Sequence, residues 1–165
     1  MKQRTFYIIL LIGVLLWCTL IILPPLFMNA GSSFAPLAEV LYKSFSHVCH
    51  QYDSRSIHID GYKFAVCGRC TAIYFGFLFG VLLIRQLSRR SLRPSVIWWV
   101  IAIVPMIVDV AADVLGLSSS TMITRLLTGG WFGIFSAVIL TPYFIEACLE
   151  IFHYKSQGIP YESKA

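Results

Sequence analysis

Charge is what this sequence has least of. Only 13% of its 165 residues are Asp, Glu, Lys or Arg, about half of the roughly 25% usual in a soluble domain. With 58% of its residues hydrophobic, the chain has too little polar surface to enclose its apolar side chains. That excludes an ordinary soluble enzyme and a disordered chain. Cysteine is sparse too: five residues do not make a disulfide-dense secreted miniprotein. There is no Gly-rich phosphate loop, no Ser/His/Asp motif and no His-Glu-x-x-His, so those chemistries have no residues to carry them. No basic stripe interleaved with aromatics is present either. Nucleic acid is therefore not an expected partner, although the net charge is +5.

Long apolar runs are what the sequence does have, and their length sets the fold class. A membrane helix needs about 20 apolar residues, and four such runs fit, at about 6–28, 68–86, 95–117 and 123–146. The expected fold is all-α: a single integral membrane domain over 1–165, a bundle of about four spans in a lipid bilayer. The first run exceeds the roughly 7–15 apolar residues of a signal peptide, so it reads as an uncleaved span, with Pro24-Pro25 ending or kinking it. Between the first two spans lies a polar section, 29–70. In it Leu37, Val40, Leu41, Phe45 and Val48 recur at helical spacing, which predicts a short amphipathic helix on the bilayer surface. The stretch from Asp53 to Gly61 reads as loop. Trp98, Trp99 and Tyr143 fall near span ends, as interface anchors do.

Lys and Arg set the orientation. Arg85, Arg89, Arg90 and Arg93 crowd one short loop, on the same side as Lys2, Arg4, Lys155 and Lys164. The positive-inside rule then places both termini in the cytoplasm and the Cys49–Cys70 segment on the outer side of the cell membrane.

That segment holds the densest chemistry. Cys49-His50-Gln51 is followed by Cys67-Gly68-Arg69-Cys70, and Cys49, His50, Cys67 and Cys70 make a Cys₃His set. Such a set suits zinc or another soft or borderline divalent metal. His47 and His58 are further imidazoles nearby. The same residues support a redox reading. Cys67 and Cys70 stand at the start of a helix, where the dipole and Arg69 favour thiolate, and Cys49 would serve as relay. An outward Cys-x-x-Cys opening the second helix of a four-helix membrane protein resembles the quinone-coupled disulfide-generating enzymes of bacterial membranes. The resemblance implies a quinone cofactor. Those enzymes carry a second cysteine pair in their second outer loop, and Ser118–Thr124 has none. A structural disulfide is the third reading.

The stretch from Phe45 to Gln51, then Arg55-Ser56, Gly61, and Val66-Cys67-Gly68-Arg69-Cys70-Thr71-Ala72-Ile73-Tyr74, resembles an uncharacterised family of small prokaryotic integral membrane proteins. The likeness resumes at Pro105–Asp109 and at Arg125-Leu126-Leu127-Thr128-Gly129 with Gly133. It implies a membrane domain and no known activity. Where that family has Gly after Cys-Thr this chain has Ala72. Asp109-Val110 and Thr121-Met122 stand where the family carries further polar residues.

Asp109 and Asp113 are one helical turn apart and share a face of the third span. A charge at that depth costs roughly 2.5–3.5 kcal/mol on insertion scales, so Asp109 calls for a partner, Arg125 or Arg69. With Gln51, Arg55, Thr71 and Thr128 these residues define an expected polar pocket. Its ligand would be a small molecule, an ion or a lipid head group; the bland alternative is a structural salt bridge. Gly76-x-x-x-Gly80 and Gly129-x-x-x-Gly133 allow close backbone approach and are expected to pack the second and fourth spans together. Glu146, Glu150 and His153 read as a solvated helix end.

Overall fold

The structure is a computed structural model and describes residues 3–87, 96–117 and 119–157. Helix α1 (Gln3–Asn29) continues through Pro24 and Pro25 instead of ending there. Both prolines are buried in its last turns. Helix α2 (Ala35–Phe45) follows. Next come one turn of 3-10 helix (Asp53–Arg55) and strands β1 (Ser56–Ile59) and β2 (Tyr62–Cys67). Three more helices complete the chain: α3 (Gly68–Leu87), α4 (Val96–Val114) and α5 (Met122–Gln157).

The β1–β2 hairpin is a correction to the loop expected between Asp53 and Gly61. Its two strands pair antiparallel, with His58 opposite Lys63 and Ile59 opposite Tyr62. The turn is Asp60-Gly61, with φ of 48° and 85°, the left-handed pair that a tight two-residue hairpin turn requires. Asp-Gly is among the strongest short-range hairpin signals.

Among the described residues three helices are long and apolar enough to cross a membrane: α1, α4 and α5. The apolar part of α3, Gly68–Ile84, is shorter, and the helix is flanked by α1 and α5. The packing of α3 on α5 is the largest interface in the molecule, and glycine is the reason. A methyl added at Gly80 would lie 2.6 Å from the Ala137 Cβ, and one at Gly129 would lie 2.6 Å from the Arg69 carbonyl oxygen. Methyls at Gly76 and Gly133 would overlap the backbone of Gly130 and Ile73. The helices touch backbone to backbone, so dispersion attraction and not side-chain interlock holds them.

Two apolar clusters mark the two ends of the bundle. Phe6, Tyr7, Val81, Ile84, Ala137 and Ile145 form one, and the Phe6 ring meets Phe152 at 5.2 Å. The start of α1 and the ends of α3 and α5 therefore share this end. Ile21, Phe45, Cys49, Ala65 and Val66 form the other, which joins α1, α2 and the hairpin. Helix α2 turns Ala38 and Phe45 inward and leaves Leu37 and Val40 exposed. Arg89, Arg90 and Arg93, on which the orientation rests, lie outside the described residues, as do Lys2, Lys164 and Ser118; the side chains of Arg85 and Lys155 do too.

Candidate functional site

Three elements bring the cysteines together. Cys49 follows α2, Cys67 ends β2 and Cys70 lies in the first turn of α3. Their sulfurs lie within 4.8 Å of one another. One side of this triad rests on the apolar cluster at that end of the bundle, where Cys67, Cys70 and Tyr74 pack. Trp17 of α1 backs it, edge-on to Phe45 at 5.0 Å and to Tyr74 at 5.7 Å.

The Cys49 sulfur collects hydrogen bonds. The neighbouring Cys67 thiol, and after it the Cys70 thiol, favours its charged form. The backbone N–H of Cys67 donates at 3.2 Å and that of Gln51 at 3.5 Å. Together these hold the Cys49 thiol well below the ordinary thiol range, against the opposing effect of burial. The physical cause is donation to the charged form.

His50 is not part of the grouping. It is exposed, and its ring stacks on Tyr52 at 5.7 Å, nearly parallel. His47 contacts the carbonyls of Lys43 and Ser44, and His58 contacts Asp53 at 3.2 Å. Among the described residues the structure thus gathers three of the four expected ligands. Cys18 and Cys148 lie elsewhere in the bundle: Cys18 donates to the Tyr74 carbonyl at 3.6 Å, and Cys148 packs at the opposite end.

Gln51 has a positive φ of 52°, and its amide donates to the Tyr42 carbonyl at 2.8 Å and the Ala65 carbonyl at 2.7 Å. It ties α2 to the hairpin and so fixes where Cys49 stands. Thr71 donates back to the Cys67 carbonyl at 3.1 Å and does not line the cleft described below. It braces the start of α3.

A cleft of about 210 Å³ opens beside the triad. The three cysteines line one part of it, and Arg55, Arg69 and Arg125 another. His50, Gln51 and Tyr52 form part of its wall. The arginines are held from outside the cleft. Arg69 is ion-paired with Asp109. Arg125 pairs with Asp113 at 3.5 Å, and Arg55 approaches Asp113 at 3.8 Å. Of the two partners considered for Asp109, the structure provides Arg69. Thr128 donates to the Thr124 carbonyl at 2.8 Å and reaches Asp109 at 3.5 Å.

Ser120 is the residue that sequence reasoning missed. Its hydroxyl accepts from Arg125 Nε at 3.1 Å and from Arg69 at 3.3 Å, and reaches both Asp109 oxygens at 3.2 Å. Its backbone N–H donates to Asp113 at 3.0 Å. The available signal was a run of small hydroxyl residues between two spans that each carry buried charge.

Residues 49–139 match a protein family described as "Predicted membrane protein (DUF2085)". The chain belongs to that family. An uncharacterised relative from Methanocaldococcus jannaschii is 35% identical over 150 residues, covering 87% of this chain and 96% of its own. A second, from Methanothermobacter thermautotrophicus, is 28% identical over 95 residues, covering 58% of this chain and 86% of its own. No solved structure matches. The matched span contains the three clustered cysteines, the hairpin and the Arg/Asp network. It leaves out α1, although Trp17 and Ile21 support the triad from there.

Proposed function

We propose that this membrane protein binds one soft or borderline divalent metal ion, zinc foremost, through Cys49, Cys67 and Cys70. The observation that carries the reading is the convergence of three sulfurs within 4.8 Å from three separate elements. Thiolates sharing one tetrahedral zinc stand about 3.8 Å apart, so closing on an ion asks for a contraction of at most about 1 Å. The N–H···S bonds to Cys49 support the same reading, because donors to a ligating sulfur stabilise its anionic form. A fourth ligand would come from the cleft or from rotation of His50. The cysteine end faces outward in this proposal, on the strength of the arginine-rich stretch Arg85–Arg93 between the second and third spans in sequence.

The test is metal per chain in protein purified in mild detergent under reducing conditions. We expect about one zinc per chain, retained in His50→Ala and lost in Cys49→Ser. A value near zero refutes the metal reading.

The Cys-x-x-Cys at the start of α3 favours a second reading, a thiol–disulfide oxidoreductase. Cys67 and Cys70 would close to a disulfide and pass two electrons and two protons to a quinone, giving the quinol; a partner's dithiol would then reduce that disulfide by exchange, with Cys49 as relay, and leave as a disulfide. Metal near zero together with two thiols lost per chain would leave a redox or a structural disulfide, and a mixed disulfide with a partner trapped by Cys67→Ser would select the oxidoreductase.

A further inference from the structure

We propose that the cleft is also an anion site that takes a phosphate group, gripped by Arg55, Arg69 and Arg125 where α3 and α5 begin. This goes beyond the metal reading and does not depend on it. Three guanidiniums line the cleft, and among the described residues no carboxylate does. Asp109 and Asp113 orient these arginines from outside the cleft. A guanidinium has more N–H donors than these contacts use. The Arg69 Nε is buried and has no hydrogen-bond partner among the described residues. Arg125 is only 8% exposed, so its charge sits where solvent screens it little.

The fold adds to this field. Helix α3 starts at Gly68 and α5 at Met122, and the two starts are in contact: a methyl at Gly68 would lie 2.5 Å from the Met122 sulfur. Two helix N-termini, each carrying a partial positive charge, thus meet beside the cleft. Forked guanidinium donors with paired helix starts match the several oxygens and the charge of a phosphate. Arg55 stands at the mouth, with its guanidinium 5.6 Å from the Tyr52 ring centre, and its side chain is 48% exposed.

The phosphate could be free or belong to a lipid head group, and two arms separate these. Inorganic phosphate is titrated calorimetrically into the full chain in detergent at low ionic strength. Retention of phosphatidylglycerol against phosphatidylcholine is measured by native mass spectrometry. Arg55→Gln is the working variant, since Arg55 is half exposed and its removal leaves the core intact; its melting should match the parent. We expect saturable one-to-one binding in at least one arm, weakened at least tenfold in Arg55→Gln and kept in the parent protein stripped of metal by a chelator. Binding of inorganic phosphate without lipid preference identifies a soluble phosphate. Selective retention of phosphatidylglycerol, lost in Arg55→Gln, identifies a head group. No binding in either arm overturns the proposal, and so does equal binding by Arg55→Gln. Loss of binding in the metal-stripped parent with unchanged melting also overturns it, because the anion would then be held by the metal.

Discussion

Replacing Arg69 by alanine strands the carboxylate of Asp109. The pair is largely withdrawn from solvent, with side chains 19% and 11% exposed. Removing one partner of a buried pair costs about 3–5 kcal/mol. Here the hydroxyls of Ser120 and Thr128 remain within reach of Asp109, and the pair is not fully buried. We therefore expect a loss of about 2–4 kcal/mol for Arg69→Ala. Asp109→Asn should cost somewhat less, because the amide keeps an acceptor for Arg69 and Ser120. At about 2–4 °C per kcal/mol for a chain of this size, Arg69→Ala should melt roughly 4–16 °C below the parent. The double variant Arg69→Gln with Asp109→Asn leaves a neutral pair of similar shape and should melt above the Arg69→Ala variant. Measured as a cycle with Arg69→Gln as the single change, the coupling should reach about 1–3 kcal/mol. A matching cycle between Asp109 and Arg125 should show less, since those two communicate through Ser120. The assay is thermal melting in detergent. Effects that add to within about 0.5 kcal/mol in the Arg69–Asp109 cycle would refute the argument, because uncoupled residues cannot be compensating each other's charge.

Two further outcomes follow from packing and from charge placement. Gly133→Ala should destabilise by about 1–3 kcal/mol, since its methyl would overlap the Ile73 carbonyl and come within 2.9 Å of the Phe77 nitrogen. Gly130→Ala, whose methyl would stand 3.9 Å from its nearest neighbour, should be tolerated, and equal melting of the two would refute the backbone contact. In a variant whose native cysteines are replaced by serine, a cysteine placed at Ser88, outside the described residues, should react with a membrane-impermeant thiol reagent only after cells are permeabilised; strong labelling of intact cells reverses the orientation.

The helical membrane class was legible in the sequence, because hydrophobic burial in lipid is a property of runs. A stretch of apolar residues long enough to span needs no knowledge of its neighbours. The same holds for the Gly76 and Gly129 motifs, which announce a close approach by composition alone. The hairpin was equally local, and Asp60-Gly61 between alternating residues was signal enough to find it.

What tertiary structure decided is which groups share one space. Cys49, His50, Cys67 and Cys70 looked equivalent as ligands along the chain. The left-handed turn at Gln51, and the amide that ties it to Tyr42 and Ala65, bring the Cys49 sulfur to the other two while His50 stacks outward on Tyr52. Arg69 and Arg125 were alternative partners for Asp109 until the packing of α3 on α5 gave one to Asp109 and the other to Asp113. Ser120 had no motif to announce it, since its importance comes from where α4 ends and α5 begins. Hydrophobic periodicity is written in neighbouring residues, whereas electrostatic partnership falls off over a few ångströms and depends on residues distant in sequence.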